Sequence, residues 1–301
     1  MIRALLLIGS FALGPAPLQA ETVNITDIPA YPQLYTPNSA ESADSTRDLV
    51  LLGADLVEIA VALGAADRIL ARPHAVDLPG IEETPHKMRE RAGVEGVVSM
   101  RPGMVIASSV IYETLLQGLE PLNVPTAMID RTLPATEKVR RMAEILGLQE
   151  RGDALIAGIE ADYTGLPETL IDGRPVRILH ASKQGAGGNF SAGGAATAVD
   201  NLIKRVGAQN AAAEIGMDRY RSVTPEGILL MAPDVVIVSE AEREAFGDFE
   251  GMWEDYPGLG LTPAGRAGNV IVMQDLHVRA DAASSGLATR ALAEALAEMF
   301  P

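Results

Sequence analysis

EGVVSMRPGMVIAS at residues 95–108 and EGILLMAPDVVIVS at residues 226–239 are two versions of one phrase. Glu, Gly, Met, Pro, a Val-Ile pair and a closing Ser recur at an offset of 131 residues. Each copy reads as a short apolar helix, a Pro-marked turn and a buried strand. The apolar runs Met104–Ala107 and Val235–Val238, bounded by turn signals, suit strands of a parallel sheet covered on both faces. Two copies are too few for a solenoid, which needs at least three stacked repeats. They predict an α/β protein of two similar lobes with mainly parallel sheets, and a cleft between lobes is a common place for a ligand.

The flanking residues extend this grammar. RDLVLLGADLVEIAVALGAADRILA (47–71) reads strand, Gly turn, helix, Gly stop, strand. Val50–Leu52 is the first strand, Gly53 permits the turn, Gly64 ends the helix and Arg68–Ala71 opens the next strand. Asp55 and Glu58 are three apart and read as the helix's polar face, leaving the rest to be buried. After a long loop at 72–94 and the first copy come a helix around Ile111–Leu119 and a strand at Pro125–Ile129, a β-α-β series. Residues 134–166 place Val139, Met142, Ile145 and Leu146 at helical spacing, interrupted by Gly147 and Gly152, and predict one long or two consecutive helices acting as a stiff spacer. Beyond it lie a strand at Val176–His180, the Gly-rich stretch SKQGAGGNFSAGGAAT (182–197), a helix Val199–Val206 and the second copy. A strand at Val270–Met273, a loop with His277 and Arg279, and a closing helix Leu287–Met299 finish the chain. The expected division is a lobe at 21–133, a rigid connecting helix at 134–168 and a lobe at 169–301.

Composition narrows the function. The 301 residues are 48% hydrophobic with a net charge of −16, which supports two buried cores and excludes nucleic acid and anionic membrane surfaces as partners. There is no cysteine, so disulfides, thiolate metal sites, thiol nucleophiles and a lipid anchor on an N-terminal Cys are excluded. Arg3, the apolar run Ala4–Leu13 and then Pro15, Pro17 and Ala20 read as a signal peptide over residues 1–20, with a mature start near Glu21. An exported, monomeric protein in the periplasm is expected.

Signs of catalysis are lacking. The Gly-rich stretch follows a strand and precedes a helix, yet matches neither a phosphate-binding loop nor a dinucleotide fingerprint, and its backbone N–H groups suit a ligand carboxylate better. Ser191 has no preceding Gly to make a nucleophile elbow, and His74, His86, His180 and His277 show no H-E-x-x-H pairing. His74, His86 and His277 sit in loops after strands, the end that faces the crevice of an open α/β sheet. His180 sits in a strand and reads as packing or as support for a site residue. Glu95 and Glu226 hold the same place in both copies, at the first turn of a helix, where a carboxylate suits the helix dipole. Two carboxylates on equivalent lobe ends also fit a two-fold symmetric partner that offers arginines.

LVLLGADLVEIAVALGAADRILA, EGVVSMRPGMVIAS, GGAATAVDNLI, YRSVTPEGILLMAPDVVIV and LTPAGRAGNVIVMQDL together resemble the periplasmic substrate-binding proteins of haem, cobalamin and siderophore ABC importers, and the haemin-binding branch above all. The resemblance covers roughly residues 47–301 in unbroken order. It implies two α/β lobes on a rigid connecting helix, a shallow cleft that moves little on binding, and haem as cargo rather than catalytic cofactor. It also implies that Glu95 and Glu226 meet arginines of an inner-membrane permease dimer.

The ligand site departs from the branch. Many haemin-binding relatives carry a Tyr just before a Pro in the loop after the second strand, as axial iron ligand. Here Leu78 precedes Pro79, and leucine cannot bind iron. His74, four residues earlier, is the expected replacement, with Tyr220 as the matching Tyr of the second lobe and His277 also expected at the cleft. Arg72, Arg89, Arg219, Arg221 and Arg279 are candidates for the propionates, and Phe190 for stacking on the porphyrin within a flat apolar cleft. Cobalamin, a ferric siderophore or another metal chelate remains the alternative cargo, and a hydrolase the remote one.

Overall fold

The computed structural model describes residues 22–32, 46–89, 93–183, 190–246, 249–256 and 258–301. The expected signal peptide, Tyr35 and residues 184–189 of the Gly-rich stretch lie outside the described residues. Strands are numbered along the chain. After β1 (Thr22–Asn24), the first lobe holds β2 (Leu49–Leu52), β3 (Ile69–Pro73), β4 (His86–Met88), β5 (Met104–Ala107) and β6 (Thr126–Met128). They form one all-parallel sheet in the order β4-β3-β2-β5-β6. All four residues of β2 are buried, as a strand covered by helices on both faces requires.

The second lobe contains the ribbon β7 (Leu170–Ile171) and β8 (Arg174–Pro175), then β9 (Arg177–Ser182), β10 (Ser191–Gly193), β11 (Gln209–Asn210), β12 (Tyr220–Ser222), β13 (Val235–Ser239) and β14 (Val270–Met273). Its main sheet runs β1-β14-β13-β9-β10-β12, with β11 also on β9. β13 is parallel to both β14 and β9, whereas β10 and β12 are antiparallel additions at the edge. The two phrases fold alike. Helix Val94–Ser99 feeds β5, and helix Pro225–Met231, capped by the Thr224 hydroxyl and opened by Pro225, feeds β13.

Three expectations change. The lobe boundary at residue 21 does not hold, because β1 pairs in parallel with β14 and so belongs to the second sheet. From there the chain crosses to the first lobe, where the Tyr31 hydroxyl donates to the Pro79 carbonyl at 2.5 Å. Of the two forms expected for the connector the structure has the second, two helices, Ala135–Leu146 and Gln149–Asp162, in place of the single rigid helix at 134–168. Gly147 breaks it at φ 72, and Gly152 packs so closely on Ala143 that a Cβ there would lie 2.5 Å from the Ala143 methyl. The second helix therefore lies against the first as a hairpin.

Asp55 and Glu58 are the third change. They are buried, not a solvated face of helix Ala54–Ala62. Asp55 is satisfied by donors, whereas Glu58 has a donor on one oxygen and none on the other among the described residues. Asp55 accepts from the Ser108 hydroxyl at 2.7 Å and faces Lys138 Nζ at 3.4 Å, while Glu58 accepts the Ser284 N–H at 2.5 Å. One apolar cluster runs from the first lobe through the connector helices to Ala280, Ala282 and Ala283 of the second lobe.

Candidate functional site

Parallel strands end together, so the residues just past β5, β6, β9 and β14 gather at one edge of each lobe. There a cavity of about 700 Å³ opens between the lobes. Ser108, Ser109, Val110, Asp130, Arg131 and Thr132 line it from the first lobe. The second lobe contributes Ser182, Phe190, Ser191, Ala196, Thr197, Ala198, Arg219, Tyr220, Ser222 and Arg279. Hydroxyls and guanidinium groups dominate, so the flat apolar cleft expected from the resemblance is instead a polar one.

Tyr220 is the best-supported group in it. It stands on β12 opposite Gly193 of β10, and its hydroxyl is 3.1 Å from His180 Nδ1. The rings meet edge-on at 85°. On the far side of the imidazole, Nε2 lies 3.0 Å from a Glu242 carboxylate oxygen. Arg279 pairs with the other oxygen of Glu242, donates to the Ser182 hydroxyl at 2.7 Å, and holds its guanidinium 5.4 Å from the Tyr220 ring centroid. Burial pushes the Tyr220 phenol up to about 12. Burial also opposes ionisation of Glu242, but the His180 hydrogen bond, the Arg279 charge and the Ser239 N–H outweigh it and hold the carboxyl at about 2.

Space around Tyr220 is tight. A Cβ on Gly193 would come 2.8 Å from Val199, 3.1 Å from the Tyr220 ring and 3.3 Å from His180. Arg219 sits in the left-handed region at φ 60, and so does Ala196 at φ 55, held by the bonds Arg219 N–H to Ala195 carbonyl and Gly194 N–H to Arg219 carbonyl, both 2.8 Å. Such backbone settings persist where surrounding structure over-determines them. Across the cleft, the Arg131 charge acts on the Tyr220 phenol and the Arg219 charge on Asp130. Arg131 has no side-chain hydrogen bond or ion pair among the described residues and is exposed at the cavity.

The expected site residues therefore divide. Tyr220, Arg219, Arg279 and Phe190 meet at the cavity. Phe190 does so with one edge only, because Phe246 and Tyr256 pack against it. His74 does not: it is exposed on the turn after β3, with its N–H on the Met88 carbonyl at 2.7 Å. His277 is not in a cleft loop but in helix Asp275–Arg279, where burial lowers its ring to about 4. It lies beside the backbone of Pro29 and Ala30, yet neither ring nitrogen reaches a partner in hydrogen-bond geometry among the described residues. Arg72 is buried and spends its guanidinium on the carbonyls of Pro73, Val76 and Ile81. Arg89 is exposed beyond β4, and Arg221 is exposed with its Nε on the Asp218 carbonyl at 3.0 Å. None of these five lines the cavity. Glu95 and Glu226 are both exposed on the matching helices.

Sequence reasoning missed Arg131 and Glu242. Arg131 was findable as the cation just past a strand end. Glu242 was findable from Ser239-Glu240-Ala241-Glu242, the S-x-x-E pattern of a capping box. That box forms, with Ser239 N–H on the Glu242 carboxylate at 2.8 Å and Glu242 N–H on the Ser239 hydroxyl at 3.3 Å.

Two α/β lobes tied by helices around an open polar cavity define a two-lobed binding protein. Residues 49–276 match the sequence family described as periplasmic binding protein, and the chain belongs to that family. It is thus a periplasmic protein that binds rather than transforms its ligand. Among solved structures it is similar to the periplasmic heme-binding protein RhuT from Roseiflexus sp. RS-1, at 26% identity and TM-score 0.69 over 85% of this chain and 100% of that one. It is similar to the periplasmic heme-binding protein BhuT, solved in complex with two hemes, at 26% identity and TM-score 0.74 over 84% and 99%. The heme binding protein HmuT shares the fold at 20% identity and TM-score 0.76 over 93% and 98%. No curated protein matches the chain.

Proposed function

We propose that this protein carries haem in the periplasm and delivers it to an inner-membrane ABC transporter. The observation that carries the reading is Tyr220, a buttressed phenol facing a cavity between lobes whose fold is similar to those of RhuT and BhuT. Tyr220 is the iron ligand from the second lobe, and phenolate is an established axial ligand of haem iron. Arg131 and Arg219, both exposed and lining the cavity, take the propionates. His74, exposed on the turn after β3 and not lining the cavity, is left out of the proposed ligand set. Export through residues 1–20, a monomeric carrier and docking of Glu95 and Glu226 on a permease dimer belong to the same proposal.

Haemin titration of the purified protein tests it. A saturable Soret change is expected, with Tyr220→Phe losing the phenolate signature and most of the affinity. No saturable change would overturn the haem reading. The hydroxyl-rich wall of the first lobe would then favour a hydrophilic ferric chelate, and a ferric siderophore competing for the cavity would show it.

A further inference from the structure

A capping box normally satisfies a helix end and nothing else. Here its carboxylate does more. Glu242 is buried, and among the described residues every hydrogen-bond contact of its two oxygens comes from a nitrogen: Ser239 N–H, His180 Nε2 and Arg279. An ionised carboxylate only accepts. The Nε2 facing it must therefore carry a hydrogen. On a ring with one proton, Nδ1 is then left as a bare acceptor. The partner of Nδ1 is the Tyr220 hydroxyl, which has one O–H to donate.

We propose that Glu242 and His180 are positioning residues that fix the direction of the Tyr220 O–H bond. The hydrogen points inward to His180 Nδ1, and the phenol lone pairs face the cavity. Tyr220 thereby meets a bound ligand as a Lewis base, not as a hydrogen-bond donor, and where it binds iron as phenolate its proton passes to His180 Nδ1. That polarity suits an electron-poor centre such as a chelated ferric ion and rejects a carbonyl or carboxylate at the same point. The identity of the centre rests on the haem reading, whereas the polarity does not. Other groups around the phenol leave it intact, since Arg279 and Arg131 can only donate and Asp275 is engaged with Arg279 at 2.9 Å.

Long-range nitrogen–proton NMR on the ligand-free, labelled full chain reads the His180 tautomer directly. The expected result is a protonated Nε2 and an unprotonated Nδ1. A ring protonated at Nδ1, or at both nitrogens, overturns the proposal whatever haemin does. Glu242→Gln replaces an acceptor-only group by one that can donate, and a population protonated at Nδ1 should appear. An unchanged tautomer there would remove Glu242 from the device. With haemin as probe, Glu242→Gln should weaken binding about tenfold and shift the phenolate-to-iron charge-transfer band, as changes behind a metal ligand do. A merely structural role would leave that band in place. If haemin does not bind the wild-type protein while the tautomer is as stated, the haem reading fails and the polarity stands. The wild-type spectrum needs no variant, so a Glu242→Gln protein that does not fold leaves the decisive measurement intact.

Discussion

Lys138 Nζ donates to the Ala280 carbonyl at 2.7 Å, so a side chain of the first connector helix grips the second lobe. The same ammonium reaches Asp55 at 3.4 Å and the Arg131 carbonyl at 3.3 Å, and Asp55 in turn holds Ser108 of the cavity wall. The hub joins both lobes, the connector and the site. Lys138 is fully buried, so removing it leaves Asp55 buried without its charge partner.

Lys138→Ala should cost roughly 3–5 kcal/mol of stability, the usual range for breaking a buried pair. Urea unfolding followed by circular dichroism measures it. A loss below about 1 kcal/mol, the range of surface pairs, would show that the hub does not hold the lobes.

Glu58 should make stability fall with alkaline pH. Burial pushes its carboxyl from 4.5 up to about 8, against the Ser284 hydrogen bond and the Lys138 charge. Folded protein thus keeps a proton that the unfolded chain has released. The Glu58 contribution declines from about pH 4.5 to about pH 8 and is flat above, with a slope near 1.4 kcal/mol per pH unit in the middle of that window. His277, depressed from 6.5 to about 4, acts with the opposite sign, its contribution being lost as pH falls from 6.5 to 4, so it offsets Glu58 below pH 6.5 and the Glu58 decline shows between 6.5 and about 8. Glu242 acts lower still, between 4.5 and about 2. Urea midpoints at pH 6.5 and 8.5 should therefore differ in the wild type and converge in Glu58→Gln. Equal wild-type midpoints would mean that Glu58 is ionised in the fold.

Gly193→Ala should injure the site more than the fold. The new methyl meets Val199, the Tyr220 ring and His180 within 2.8–3.3 Å, and overpacking of this kind costs about 1–3 kcal/mol. Haemin affinity should drop by more than the stability change explains, because Tyr220 is the group displaced. Wild-type affinity in a folded Gly193→Ala protein would show that the phenol does not need its present position.

Arg131→Ala and Arg219→Ala should each weaken haemin about tenfold, roughly the 1.4 kcal/mol of one charge-assisted hydrogen bond. Neither should change affinity for haemin dimethyl ester, which has no free carboxylates. Equal losses for both ligands would place the arginines in packing or lobe closure instead.

Glu95→Ala with Glu226→Ala should reduce haem delivery to permease in proteoliposomes while haemin affinity is unchanged. Both side chains are exposed, so no folding defect is expected. A loss of haemin affinity would show that these helices act on the cavity.

The paired phrases 95–108 and 226–239 were enough to name two lobes with parallel sheets, because a buried strand needs an unbroken apolar run and the turn before it needs its Pro. Met104–Ala107 and Val270–Met273 even matched residue for residue. Tyr220, Arg219 and Arg279, expected near the ligand from the family resemblance, line the cavity.

Other residues had no such local sign. Asp55 and Glu58 looked like a solvated face, since helical periodicity cannot reveal that Ser108, Lys138 and Ser284 arrive from distant segments to cover them. β1 was likewise decided by a partner far away in the chain, β14. Sequence alone determined the lobes, the strands and the cation-rich end of the sheet, because local pattern fixes local structure. Only the tertiary structure decided where each histidine sits, because His74 and His180 differ in neighbours rather than in kind. One turns to water, and the other bridges Glu242 to Tyr220.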